Sequence, residues 1–464
     1  MIPSRLPNRG EQYGFHFDMT KCIGCKCCVV ACNEQNGNPA AINWRRVGEL
    51  EGGSFPHTQR FHLSMGCNHC VEPSCMIGCP VDAYSKDPFT GIVDHDPDMC
   101  IGCQYCTWNC SYGVPQFNEA RGVVGKCDMC HHRLLDGASP ACANACPQGA
   151  IEIEIVNIAA WKRDHSRADM TGLPSSADSL STTRITRPHV RLEDLRRVDT
   201  HRKPRLEHAH PSLVFVLVMT QLALGVYGSL VVAQSSSWIA AGLAFGLIAI
   251  ALAVAPAHLG RPIHAYRAIR GWKHSWLSRE ILGLSAFAGA ANLFTALLWL
   301  GSPYAPLAGF ATVTAGIAGV YSSARIYTVR ARPAWFSGHT LAEFFLTSAV
   351  LGPLVVMAVG TSEPRWLSLL AAGGAAGQFA NTLAKRNSLS KSVEFELASA
   401  ARLMTPFMPY RLAGLAIVGV LGFVLPAAAL AIALPGELFG RWMFFSCVVP
   451  KSVASTFLRK EIAA

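Results

Sequence analysis

The chain has 464 residues, of which only 15 % are charged, against ~25 % in ordinary soluble proteins, and 51 % are apolar. Mean hydropathy is +0.27, so an ordinary cytosolic enzyme and a disordered chain are both excluded. The formal charge of +10 would suit a nucleic-acid binder, but its placement along the chain points to membrane orientation instead.

Cysteine dominates the first third. Seventeen of the 18 cysteines lie between Cys22 and Cys146, and the last is Cys447. Sixteen fall into four runs. The first is Cys22, Cys25, Cys28 and Cys32, and the second is Cys67, Cys70, Cys75 and Cys79, followed by Pro80. Cys100, Cys103, Cys106 and Cys110 repeat the first spacing; Cys127, Cys130, Cys142 and Cys146 close the set, before Pro147. CIGCKCCVVAC at Cys22 and CIGCQYCTWNC at Cys100 form an internal repeat.

Three chemistries compete for these thiols. Disulfides need an oxidising compartment, and MIPSRLPNRG has no apolar core of a secretory signal. Zinc favours two close pairs separated by a longer gap. Three cysteines within seven positions instead wrap one face of an iron–sulfur cubane, and a fourth, often before Pro, ligates a second cluster. The segment is rich in Gly, Pro and polar residues, so metal–thiolate bonds are expected to supply folding energy to a thin core. Short hairpins and helices are predicted around the clusters, with strands at GIVDHD near Gly91 and at AIEIEIV after Ala150.

The order of spacings, CP after the second and fourth runs, SYGVPQF after Cys110 and CDMCHHR at the fourth run resemble the four-cluster electron-transfer subunits of the dimethyl sulfoxide reductase family. The resemblance covers roughly residues 14–190 and implies an α+β double-ferredoxin-like fold. It also implies four 4Fe–4S clusters with interlocked ligands. One takes Cys22, Cys25, Cys28 and Cys146, and a second takes Cys127, Cys130, Cys142 and Cys32. A third takes Cys67, Cys70, Cys75 and Cys110, and the fourth takes Cys100, Cys103, Cys106 and Cys79. Cys27 departs from the pattern and reads as a small buried hydrophobe.

Residues 1–159 are thus expected to form the cluster domain. A basic linker or strap over 160–210 follows, marked by MTGLPSSADSLSTTRITRP and RLEDLRRVDTHRKPRLEHAH. The rest, 211–464, reads as an all-α polytopic membrane domain. Eight spans are predicted: Ser212–Ala233, Trp238–Ala255, Glu280–Leu300, Ala305–Ala324, Thr340–Gly360, Trp366–Leu383, Leu412–Leu434 and Leu438–Phe457.

Lys and Arg crowd one side of these spans. Arg196, Arg202, Lys203 and Arg205 precede the first. Arg261, Arg267, Arg270, Lys273 and Arg279 follow the second, and Arg325, Arg330 and Arg332 follow the fourth. Lys385, Arg386, Lys391, Arg402 and Arg411 follow the sixth, and Arg459 and Lys460 end the chain. That is nineteen against Arg365 and Arg441 opposite, which puts the cluster domain in the cytoplasm of a bacterium, with the helices in its inner membrane. Arg5 and Arg9 are separated and precede no apolar segment, so no twin-arginine signal is expected.

HLGRPIHAYRAI, SWLSREI, FFLTSAVLGPL and GELFGR resemble, in order, the eight-helix anchor of the same family. The chain reads as the electron-transfer and anchor subunits fused. The resemblance implies exchange with a quinone, menaquinone or ubiquinone, and no haem; no facing intramembrane His pairs offer axial ligands. His258 matches the functional His of the family's HLG motif. Arg261, Arg279 and Glu280 are candidates beside it, in a loop shared with His264 and Ser278. Glu343 reads as either a helix-start charge or part of a proton route.

No dinucleotide fold, P-loop or nucleophile elbow is visible. The chain therefore reads as a redox-active wire between the quinone pool and a separate molybdopterin catalytic subunit, with sulfite oxidation favoured over reduction of a sulfoxide or another oxyanion. The alternative of another class is a membrane-bound iron–sulfur regulator or assembly factor, although one cluster would suffice for sensing. Membrane lipid is the expected surrounding and nucleic acid is not an expected partner.

Overall fold

The computed structural model describes residues 2–198, 203–360 and 364–451. It divides into two compact units, Met1–Lys203 with Pro450–Ala464, and Pro204–Val449. Arg202, Arg459 and Lys460, and the end of the predicted Leu438–Phe457 span, lie outside the described residues.

The first unit is α+β. Its strands are β1 (Glu11–Asp18), β2 (Arg46–Ser54), β3 (His57–Met65), β4 (Tyr84–Lys86), β5 (Val93–His95), β6 (Gln116–Asn118), β7 (Val123–Gly125), β8 (Ile151–Asn157), β9 (Arg184–Thr186) and β10 (Arg196–Arg197). They build sheets β8–β1–β9 and β10–β2–β3, and hairpins β4–β5 and β6–β7. Short helices α1 (Cys27–Asn36), α2 (Ser74–Gly78), α3 (Tyr105–Asn109), α4 (His131–Leu135), α5 (Ala141–Asn144) and α6 (Ile158–Arg163) lie between them. The strands expected near Gly91 and after Ala150 are β5 and β8. In β8 the alternation IEIEIV buries Ile151 and Ile153, while Glu154 meets Arg184 of β9 at 2.6 Å.

The core of this unit is thicker than composition suggests. Phe15, Phe17, Met19, Leu50, Leu63, Met65, Ile92, Met129 and Ile151 are all buried in one cluster, so apolar packing shares the work of folding with any metal. The expected linker is also different. Residues 160–198 belong to the first unit: β9 pairs in parallel with β1, Thr182 donates to the Asn68 carbonyl at 2.7 Å, and Trp161 Nε1 donates to Ser181 O at 2.7 Å. Polar residues that look solvated in sequence are here consumed by buried hydrogen bonds.

The second unit is all α. Its long helices are α7 (Pro211–Ala233), α8 (Trp238–Val254), α9 (Trp276–Trp299), α10 (Ala305–Tyr327), α11 (Gly338–Val359) and α12 (Leu367–Ser390). Then come α13 (Phe395–Met404), α14 (Met408–Leu421) and α15 (Pro426–Ser446). Short 3-10 turns at Ala255–His258 and Pro262–Ile269 link α8 to α9. Helix α7 is the most enclosed of the long apolar helices. Small residues permit close crossings: a Cβ on Gly352 of α11 would overlap Gly225 of α7, and one on Gly283 of α9 would lie 2.9 Å from Gly319 Cα of α10.

The predicted count of eight spans is corrected. Six helices among the described residues are long and apolar enough to cross a membrane, or seven if α13 and α14, bent by 60°, form one span. Helix α12 exists at the sixth predicted span, but Gln378, Asn381, Lys385 and Arg386 keep it below the hydropathy of a free-standing span. The seventh and eighth are misframed. The apolar run Leu412–Leu434 breaks at Gly422–Leu425, and Pro426 starts a new helix, α15, that reaches Ser446. Arg441, expected at a helix start, therefore lies deep in α15, and Lys385 and Arg411 are buried in helices rather than in a loop.

Candidate functional site

The repeated CIGC motif becomes a repeated turn. Gly24 and Gly102 have φ of 69° and 71°, and Lys26 and Gln104, which cap α1 and α3, have φ of 65° and 60°. These left-handed residues curl the chain so that successive cysteines face inward. A Cβ at Gly24 would also lie 2.6 Å from the His62 ring.

The four runs interlock. Cys22 has Cys28, Cys146 and Cys25 as electrostatic neighbours, and Cys32 has Cys142 and Cys130, with Cys127 beside it. Cys75 has Cys110, Cys67 and Cys70; Cys106 has Cys103, Cys100 and Cys79. Cys22, Cys25, Cys28 and Cys146 line a cavity of ≈ 330 Å³. Cys67, Cys70, Cys75 and Cys110 line another of ≈ 440 Å³. Among the described residues no three His, Cys, Asp or Glu side chains converge tightly enough for a single ion. Four soft thiolates spread around a shared space fit a polynuclear iron–sulfur cluster. Burial pushes the thiols of Cys32, Cys70 and Cys103 up to about 12, so metal binding there must displace protons. Cys27 is corrected: it is exposed, with Cys25 as its neighbour, because it opens α1 on the solvent side.

Around the thiols lies a shell that spacing does not reveal. Backbone N–H groups of Ala83, Gly102, Met129 and Ala150 donate to the sulfurs of Cys79, Cys100, Cys127 and Cys146 at 3.3 to 3.4 Å. Such bonds tune cluster potentials. His69 is fully buried. Its Nδ1 accepts from Val93 N–H at 3.0 Å, so the ring proton sits on Nε2, which points at Cys127 Sγ, 3.9 Å away. Burial, then the charges of Lys126 and Lys86, hold this imidazole well below the usual histidine range, and it stays neutral. Burial opposes the charge on Arg45, but the thiolates of Cys142, Cys28, Cys127 and Cys32 outweigh it. This guanidinium thus serves two thiol groups at once. The one sequence signal for His69 is its place inside the second run.

In the membrane unit, His258 Nδ1 donates to the Ala255 carbonyl, which leaves Nε2 as the accepting face of the ring. Arg279 is committed to its own loop: Nε donates to Trp272 O at 3.0 Å, another nitrogen donates to Lys273 O at 2.6 Å, and its guanidinium lies 4.5 Å from the centroid of Trp276. Ser278 donates to Ala268 O at 2.6 Å. Glu280 starts the apolar stretch of α9, beside Ser323 of α10. Arg261 caps the second 3-10 turn. Ile263, Tyr266 and Trp272 of the same loop are exposed.

Sequence reasoning missed a second polar centre. Glu343 of α11 pairs with Lys385 of α12 at 3.2 Å and with Arg441 of α15 at 3.7 Å. Glu437 pairs with Arg411 of α14 at 2.8 Å and accepts from Thr347 at 2.7 Å and Gln378 at 3.2 Å. Arg441 also donates to Gln221 of α7 at 2.9 Å. Glu343 is thus no plain helix-start charge. A small cleft lined by Glu343, Lys385 and Arg411 opens on this network.

The sequence matches two family models, a 4Fe-4S dicluster domain over residues 58–155 and the DMSO reductase anchor subunit (DmsC) over residues 210–434. A component of the anaerobic dimethyl sulfoxide reductase of Escherichia coli (strain K12) is 39 % identical over 149 residues, 30 % of this chain and 72 % of that one. The corresponding component of the Haemophilus influenzae reductase is 34 % identical over 189 residues, 39 % of this chain and 88 % of that one. A subunit of the sulfite dehydrogenase of Allochromatium vinosum is 33 % identical over 216 residues, 40 % of this chain and 90 % of that one. This chain therefore belongs to the dimethyl sulfoxide reductase family. Within that family it fuses an iron–sulfur electron-transfer subunit to a multi-pass membrane anchor.

Proposed function

We propose that this dimethyl sulfoxide reductase family chain carries electrons between a molybdopterin catalytic subunit and the membrane quinone pool, through four 4Fe–4S clusters held by the sixteen interlocked cysteines. The observation that carries the reading is the convergence of four sets of four thiols, each drawn from two distant runs, on a chain that continues into a membrane anchor. The clusters, when bound, supply one-electron transfer. The protein's own part is to hold them in place, to hydrogen-bond their sulfurs and to keep Arg45 and neutral His69 beside them.

His258, with Arg261 in the same loop and Glu280 at the end of it, is the first candidate for the quinone contact. The Nε2 face of His258 can accept a proton or hydrogen bond from a quinol oxygen, and Glu280 offers a carboxylate at the start of α9. Arg279, tied to backbone carbonyls, holds the loop in shape.

Sulfite is the favoured substrate of the partner, and the sulfite dehydrogenase relative supports this. The Lys and Arg asymmetry, counted on the eight spans expected from the sequence, supports a cytoplasmic cluster unit in the inner membrane of a bacterium. The dimethyl sulfoxide reductase relatives favour the second reading, a sulfoxide reductase. The complex purified with its natural partner decides between them: sulfite-dependent quinone reduction is expected, whereas quinol-dependent reduction of dimethyl sulfoxide without sulfite activity would reverse the assignment.

A further inference from the structure

The stretch that reads as a linker runs alongside the second cysteine run. Val71 N–H donates to Leu180 O at 3.0 Å, and Glu72 N–H donates to Ser179 O at 3.2 Å. Asn68 is held from the same segment: its carbonyl accepts from Thr182 and its side-chain oxygen from Thr183. Between these anchors the buried Ser179 hydroxyl lies 3.1 Å from Cys70 Sγ, in the cavity lined by Cys67, Cys70, Cys75 and Cys110.

The direction of this bond follows from the chemistry of ligation. A cysteine that holds iron has lost its proton, so its sulfur only accepts and the serine must donate. One electron added to the cluster places more negative charge on the sulfurs, and a donor already aimed at one of them binds it more strongly in the reduced state. Such a bond favours reduction. The backbone donors to Cys79, Cys100, Cys127 and Cys146 each come from within four residues of their sulfur, so they accompany the ligand turn wherever it forms. Ser179 comes from 109 residues away. On a free linker its hydroxyl would spread over many conformers; pinned by the pairing with Val71 and Glu72, it has only its own rotor left to fix. Ser64 offers a comparison in another thiol set. Its hydroxyl is 3.4 Å from Cys28 Sγ, and its oxygen accepts from Arg45 at 3.3 Å.

We propose that Ser179 is a positioning residue that raises the reduction potential of the cluster held by Cys67, Cys70, Cys75 and Cys110, and that residues 180–183 hold it there. The proposal rests on the four-cluster reading above.

The test is a redox titration of the whole complex in native membranes, followed by electron paramagnetic resonance. Cys75→Ser, titrated in parallel, marks the signal that belongs to this thiol set. In Ser179→Ala that signal should titrate lower: at the wild-type midpoint its ratio of reduced to oxidised form should fall about fivefold, the worth of one hydrogen bond. The other three signals and the iron content should stay unchanged, and Ser179→Thr, which keeps the hydroxyl, should restore most of the shift. Ser64→Ala should leave this signal where it is. Should Ser179→Ala lose iron, Thr182→Val, which loosens the segment without touching a ligand or Ser179, must still lower the same signal. A marked signal that neither variant moves overturns the proposal alone, and so does an equal shift of all four signals. The absence of any signal that Cys75→Ser removes overturns the cluster reading and the proposal with it.

Discussion

The two units assemble their polar chemistry in opposite ways. In the cluster unit each thiol set is built from short runs such as Cys22 to Cys28, bent inward by left-handed residues, with one ligand borrowed from a distant run. In the membrane unit the polar centre draws one residue each from α7 and α14 and two each from α11, α12 and α15, and no two adjacent positions contribute. Removing one member of a ligation motif should cost a discrete object, a cluster. Removing one member of a dispersed network should leave a charge without its counter-charge and act on the whole bundle.

Substitutions can break or sharpen that contrast. The largest effect is expected from Cys75→Ser or Cys103→Ser: iron should fall from about sixteen to about twelve atoms per chain, one cluster signal should vanish or convert in electron paramagnetic resonance, and quinone-linked turnover should be abolished. Unchanged iron would detach that cysteine from its set. Next comes Arg411→Leu, which leaves buried Glu437 with only neutral hydrogen-bond partners, Thr347 and Gln378, and should destabilise the membrane unit by about 3–5 kcal/mol. The double variant with Glu437→Gln should recover most of that loss in thermal unfolding followed by size-exclusion chromatography; additive losses would deny the coupling. His258→Ala should slow quinone-linked turnover about tenfold, with iron content and partner binding intact; unchanged kinetics would make this His structural.

The smallest shift is expected in the cluster unit. His69→Leu removes a weak N–H donor to Cys127 and should lower the potential of that cluster by roughly 40 mV, equivalent to about 1 kcal/mol for one electron. His69→Gln should restore part of it in a redox titration, and an unmoved potential would leave His69 a packing residue.

The same contrast explains what was legible in the sequence. Ligand spacing is a local code, so the cysteine runs and the β8 alternation read directly. The β9–β1 pairing is only three residues deep, too short to stand out against the Gly, Pro and Ser around it. The first five long helices announce themselves as apolar runs. Helix α12 reads more faintly, at Trp366–Leu383, because Gln378, Asn381 and Lys385 dilute its hydropathy. The frame of the last helices failed for a related reason: an apolar run that continues through Gly422 and Leu425 hides the turn. Cys27 was misjudged because a cysteine is usually buried, whereas a helix start beside a ligand loop exposes it. The Glu343 pairing with Lys385 and Arg441 depends on helix rotation, which no stretch of sequence encodes by itself.

The touching backbones of Gly225 and Gly352 set the seam between α7 and α11. Gln221 and Thr347, about one turn away on those same helices, hold the ends of the ion network. A methyl group at either glycine is therefore a wedge with an electrical reach. By prising the seam open it would admit water, raise the local dielectric and weaken every pairing between Glu343, Arg441 and their neighbours without touching a charged atom. The tolerance of these two positions to change is set by charges that neither of them contacts.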